Sequence, residues 1–160
     1  QLNKLKKKKR AQTKFIDFVK QMWPTFISGK HHARMAAAFE RVAKGESKRL
    51  IINMPPRHTK SEFASYLLPA WFLGQYPHKK VIQTSHTAEL AVGFGRKVRN
   101  LIDSEIYREI FPNVSLRADS KAAGRWDVQA RCQARRFQSE LLLSPLSEKS
   151  SGGGYCGRQD

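Results

Sequence analysis

The sequence predicts an α/β fold, a parallel sheet with flanking helices, and three observations predict it. The apolar run Leu50 to Met54 reads as a buried strand that enters a tight turn. Lys80 to Ser85, carrying Val81 and Ile82, reads as a second short strand. Around both lie stretches with helical apolar spacing, and strands that alternate with helices favour a parallel sheet with right-handed crossovers.

In chain order, the first segment is a run of Lys4, Lys6, Lys7, Lys8, Lys9 and Arg10. It reads either as the solvated start of a helix or frayed terminus, or as a non-specific contact to nucleic-acid phosphates. Phe15, Ile16, Phe18, Val19 and Met22 have helical spacing, and Pro24, between Trp23 and Phe26, ends that helix. From Gly29 to Gly45, Met35, Phe39 and Val42 mark an amphipathic helix, with Gly45 as its stop. His31 and His32 open it. Neighbouring positions on a helix diverge, so the two make a poor metal pair; they read as surface or cap residues, or as an adenine or ribose contact. After the first strand, Ser61 to Gly74 forms a helix with Phe63, Ala64, Leu67, Leu68 and Trp71 as its apolar stripe and Pro69 as a kink. Further helices run from about Thr87 to Ile102, weakened by Gly93 and Gly95, and from about Ser104 to Phe111, ending at Pro112.

Composition bounds the partners. The chain has 160 residues, enough for one domain with a real core, and 30 basic against 13 acidic residues give a net charge of +17. That charge favours polyanions: nucleic acid, nucleotide or an anionic surface. No apolar run approaches the roughly 18 residues of a membrane span, and no secretory signal is visible. Cys132 and Cys156 alone make neither a zinc signature nor a disulfide framework, so a reduced, intracellular setting is expected.

The chemistry concentrates at Met54-Pro-Pro-Arg-His-Thr-Lys-Ser61. A strand, a short loop and a Lys-Ser pair at a helix start is the layout of a phosphate-binding loop. Backbone N–H groups and the helix dipole favour an anion there, the lysine reaches the β- and γ-phosphates, and the serine hydroxyl holds Mg²⁺. Against the pattern G-x-x-x-x-G-K-[ST], the glycine positions carry Met54 and Thr59. Spacing alone also fits a solvated basic loop that starts a helix. A place at the carboxyl end of a parallel strand, where such sheets bind ligands, favours the phosphate reading and an incomplete phosphate-loop NTPase type of fold. Thr84, Ser85 and His86 would then face the same crevice, or serve as turn and cap residues.

Leu50-Ile-Ile-Asn-Met-Pro-Pro-Arg-His-Thr-Lys-Ser-Glu62 resembles the modified phosphate loop of tailed-bacteriophage terminase large subunits, often written Pro-Pro-Arg-His-Gly-Lys-Ser. Gly29-Lys-His-His, Val81-Ile-Gln-Thr-Ser-His-Thr-Ala-Glu-Leu-Ala, Phe94-Gly-Arg-Lys-Val-Arg-Asn-Leu-Ile and Lys121-Ala-Ala-Gly-Arg-Trp126 fit the same family, so the resemblance spans about Phe15 to Asp127. It implies the ATP-binding part of a motor that drives double-stranded viral DNA into a capsid in the host cytoplasm. ATP and Mg²⁺ would be its cofactors, and the portal and small terminase subunit its partners, in a homo-oligomer. By position, Pro56, Arg57, His58, Thr59, Lys60 and Ser61 would bind nucleotide, Ser61 would hold Mg²⁺, and Arg57 would act catalytically near the γ-phosphate. Thr59 departs from the family's glycine; if that position needs a positive φ, a β-branched residue is strained there.

Three segments are expected: a basic N-terminal segment 1–14, a partial ATPase domain 15–127 and a divergent tail 128–160. The family continues with a strand ending in Asp-Asp or Asp-Glu and then a nuclease domain, and neither has a counterpart here. The tail turns to Arg, Gln and Ser, as in an out-of-frame sequence or a helix-plus-linker extension. Asp103, Glu105, Glu109, Asp119 and Asp127 end no apolar strand and read as surface or cap residues. Glu62 is expected to support the first helical turn. The second functional class is a basic nucleic-acid-binding module without nucleotide chemistry, using the lysine run with Arg131, Arg135 and Arg136.

Overall fold

The structure, a computed structural model, describes residues 2–121 and 125–130. Its elements are α1 (Leu2–Thr13), α2 (Phe15–Met22), α3 (Lys30–Ala43), a π-helical turn (Glu62–Leu67) that continues into α4 (Leu68–Gln75), α5 (Ala88–Asp103), α6 (Glu105–Ile110), β1 (Val114–Lys121) and β2 (Trp126–Ala130). The tail expected from 128 onward begins inside β2; Arg131, Arg135, Arg136, Cys132 and Cys156 lie outside the described residues.

The helices follow their sequence signals. Pro24 lies just beyond α2 and Pro112 just beyond α6. Ser104 caps α6 by accepting the Tyr107 N–H at 3.4 Å, and Thr87 caps α5 by accepting that of Leu90 at 3.4 Å. Gly45, at φ 80°, closes α3: its N–H bonds the Val42 carbonyl at 3.0 Å, and the Glu46 N–H bonds that of Arg41 at 3.0 Å. α2 has no cap of its own, so Glu40 on α3 supplies one, accepting the Phe15 N–H at 3.0 Å while pairing with Lys14 at 3.1 Å. Pro69 has no N–H to offer the Ser65 carbonyl. The chain widens into a π turn just before it, and Gln83 Nε2 donates to that carbonyl at 2.6 Å.

The core is aromatic and centres on Phe15, which is fully buried. Phe39, Phe63 and Trp71 meet its ring edge-on at 5.3, 5.6 and 5.5 Å between centroids. Such T-shaped pairs add to the burial energy of the rings themselves. Buried polar tips are paired: Trp71 Nε1 donates to the Ala11 carbonyl at 3.1 Å and Tyr107 Oη to that of Ala70 at 2.8 Å. The basic segment belongs to this body. Ala11 is buried, and Gln12 donates to the Ile110 carbonyl at 2.6 Å.

The predicted parallel sheet, and with it the phosphate-loop NTPase type of fold, is not what forms. Among the described residues the chain is mostly helical and its one sheet is the antiparallel pair β1–β2. The pair aligns Val114 with Ala130, Ser115 with Gln129 and Leu116 with Val128, then passes an irregularity to Lys121 and Trp126. Leu50 to Met54 and Lys80 to Ser85 carry no strand. A strand needs a neighbour for its N–H and C=O groups, and neither segment has one among the described residues. Ile52 and Met54 still pack on the core, whereas Ile51 is 86% and Ile82 89% exposed. The run expected as a buried strand leaves Leu50, Ile51 and Asn53 exposed, because an apolar pattern alone does not supply a partner.

Candidate phosphate-binding loop

The loop lies between the Leu50–Met54 segment and the helical stretch that begins at Lys60. Two of its residues, Arg57 (φ 65°) and Thr59 (φ 57°), are left-handed. These are the positive-φ residues other than glycine among the described ones, and Thr59 is β-branched, the type least tolerant of that region. A left-handed residue followed by a helical one turns successive N–H groups toward a common centre, which makes an anion-binding nest. Thr59 followed by Lys60 has that form.

The side chains hold the loop to itself. His58 Nδ1–H donates to the Pro56 carbonyl at 2.9 Å, and the Thr59 hydroxyl donates to the His58 carbonyl at 2.7 Å. Lys60 Nζ folds back onto the Met54 carbonyl at 3.4 Å, spanning the loop from its last residue to its first. The Phe63 N–H takes the Thr59 carbonyl at 3.0 Å, so the helix starts directly out of the left-handed residue. Pro56, Arg57, His58 and Ser61 are exposed; Thr59 and Lys60 are half-buried. The six residues predicted to bind nucleotide therefore share one short, solvent-facing turn.

Beneath the turn sits the N-terminus of α3. His32 is 6% exposed. Its Nδ1 accepts the Gly29 N–H at 2.9 Å, the bond that a Glu or Gln makes at the same helical position in a capping box. Its other nitrogen meets Thr59 Oγ1 at 2.8 Å. Because Nδ1 accepts, Nε2 carries the proton and donates. Burial foremost, and then the neighbouring His31 and His58, push its pKa below the ordinary 6.5.

The His31 and His32 rings come within 3.8 Å of each other and the His31 and His58 rings within 6.0 Å, so the two neighbours on α3 converge rather than diverge. They do not form a metal centre: both His32 nitrogens are engaged, and no metal-binding group of acids, histidines or cysteines occurs among the described residues. The sequence offered His32 as a cap, for which a histidine three residues into a helix that opens on glycine is the signal, and missed its bond to Thr59.

Thr84, Ser85 and His86 are exposed on a segment whose Gln83 donates to the Ser65 carbonyl. Glu62 turns to Lys97 at 3.6 Å, Glu109 pairs with Lys4 at 3.1 Å, and Asp103 pairs with Arg108. Asp127 lies in β2 and Asp119 in β1, strands absent from the sequence reading. A groove of about 490 Å³ lined by Gln12, Gln75, Phe111 and Asn113 involves no loop residue. Comparison with models of known families, with curated proteins and with solved structures finds no match to this chain.

Proposed function

We propose that Pro55 to Ser61 grips the phosphates of ATP, and that the chain is the ATP-binding part of a terminase-type motor for packaging double-stranded viral DNA. The observation that carries this reading is the nest at Thr59 and Lys60, with the lysine ammonium drawn across the loop. A γ-phosphate arriving at the nest would replace the Met54 carbonyl as the partner of Lys60, exchanging a long neutral contact for a charge-assisted one. Arg57, exposed on the same turn, would reach toward the terminal phosphate. The donor set fits a phosphate better than a free metal ion. Ser61 supplies one hydroxyl, so Mg²⁺ would enter with the nucleotide and keep water in its remaining positions.

Binding without rapid turnover is the expected behaviour. The nearest acid in sequence, Glu62, is paired with Lys97, and a helix start alone does not activate water. Titration of Mg²⁺-ATP should give saturable binding that Lys60→Ala weakens by about ten- to a hundredfold, the loss of one charge-assisted bond. Binding that is unchanged in Lys60→Ala would sink the phosphate reading, and robust hydrolysis abolished by Lys60→Ala would sink the expectation of slow turnover.

A second reading rests on α1, where Lys4, Lys6, Lys7, Lys9 and Arg10 are exposed along one short helix. A basic module for nucleic acid would show DNA affinity that falls steeply with salt and ignores ATP. Fluorescence anisotropy with a DNA duplex at two salt concentrations, with and without ATP, separates the two.

A further inference from the structure

We infer that His32 is a positioning residue for the phosphate loop: its neutral ring, bonded to Gly29 on one side and Thr59 on the other, holds Thr59 in the left-handed conformation that shapes the nest. The consequence for ATP rests on the function proposed above; the geometry stands apart from it.

A threonine at φ 57° is strained, and such residues persist only where their surroundings fix them. Here the fixing is specific. Thr59 Oγ1 is held on both sides, accepting from His32 Nε2 and donating to the His58 carbonyl. His32 is held in turn by the Gly29 N–H, by the edge-on Phe26 ring at 4.7 Å and by the Phe63 ring at 5.0 Å. A Cβ at Gly29 would lie 3.5 Å from His32 Nδ1, an ordinary contact, and 2.9 Å from Cε1 of the exposed His31 ring, which would have to turn aside. Where the family form uses glycine for a free left-handed turn, this chain holds a threonine there with a histidine from another helix.

Only one form of the ring does this. An imidazolium carries a proton on Nδ1 and meets the Gly29 N–H donor to donor. The titratable groups facing the ring are His31 on its own helix and His58 from the loop; the 23–29 turn and the π segment present the rings of Phe26 and Phe63. A pKa lowered by folding means that the unfolded chain binds the proton more readily. The stabilisation is therefore complete above about 6.5 and is lost as the pH falls below it.

The test uses the full chain and the variants His32→Gln, His32→Phe, Thr59→Gly and His32→Phe with Thr59→Gly. Melting temperatures are followed from about pH 5 to about pH 8, and the ring nitrogens of His32 by ¹⁵N NMR. Wild type should show the Nε2–H tautomer and lose stability below about 6.5. His32→Gln can accept from Gly29 and donate to Thr59 without titrating, so it should flatten the acid limb while keeping the melting temperature. His32→Phe should lower the melting temperature at every pH, and less so in the Thr59→Gly background. Additive effects of the two substitutions, an acid limb in His32→Gln equal to that of wild type, or an Nδ1–H tautomer would each overturn the inference. If His32→Phe does not fold, His32→Gln and the NMR tautomer decide. Mg²⁺-ATP titration at the alkaline end should show binding weakened about tenfold in His32→Phe and restored in the double variant, the size of one lost hydrogen bond. Wild type failing to bind ATP would defeat the phosphate reading alone, because the stability cycle still judges His32.

Discussion

Around Phe15, three rings close edge-on at 5.3 to 5.6 Å, ring against ring. Around Thr59, a single hydroxyl bonded on both sides restrains a backbone that threonine does not favour. The core is stable through many interchangeable dispersion contacts, whereas the loop depends on a few directional bonds, each of which has a definite protonation state. The difference teaches where sensitivity lies. Packing tolerates pH and responds to volume; the loop tolerates volume and responds to a proton.

Substitutions can push on either side of that contrast. The largest effect should come from Phe15→Ala, which removes the ring shared by three partners. Destabilisation of about 3–5 kcal/mol in a urea melt is expected, with the pH dependence unchanged. A loss well under that would mean that the core closes around the gap. Gly45→Ala should cost about 1 kcal/mol, because alanine at φ 80° is strained although no atom crowds the position. The smallest change should come from Arg57→Gly. Glycine relieves the left-handed strain at φ 65° and should raise stability by up to about 1 kcal/mol while lowering affinity for Mg²⁺-ATP. A stabilised variant with unaltered affinity would remove Arg57 from the phosphate site.

The helices were legible because their signals are local. Ser104, Thr87, Gly45, Pro24 and Pro112 act within a turn of themselves, and each marks the boundary expected. The strain at Thr59 was expected only on a condition, from the glycine that the resembling family form carries there, and its φ of 57° meets that condition. The sheet was not, because pairing is a long-range property. Leu50 to Met54 has a strand's apolar pattern and no partner among the described residues, while Val114 to Lys121 is interrupted by Arg117 and Asp119 and yet pairs with Trp126 to Ala130. His32 and Thr59 are far apart in sequence, and nothing local to either announces the bond.

The wide turn before Pro69 has a geometric consequence. An α-helix completes a turn in about 3.6 residues, so side chains four apart drift steadily around its axis. A π turn takes more residues per revolution and drifts the other way. Phe63, Leu67 and Trp71 are four apart across the change from one to the other, and all three are buried. The opposite drifts offset each other, so Phe63, which meets the rings of His32 and Phe15, and Trp71, which meets Phe15, both face the core.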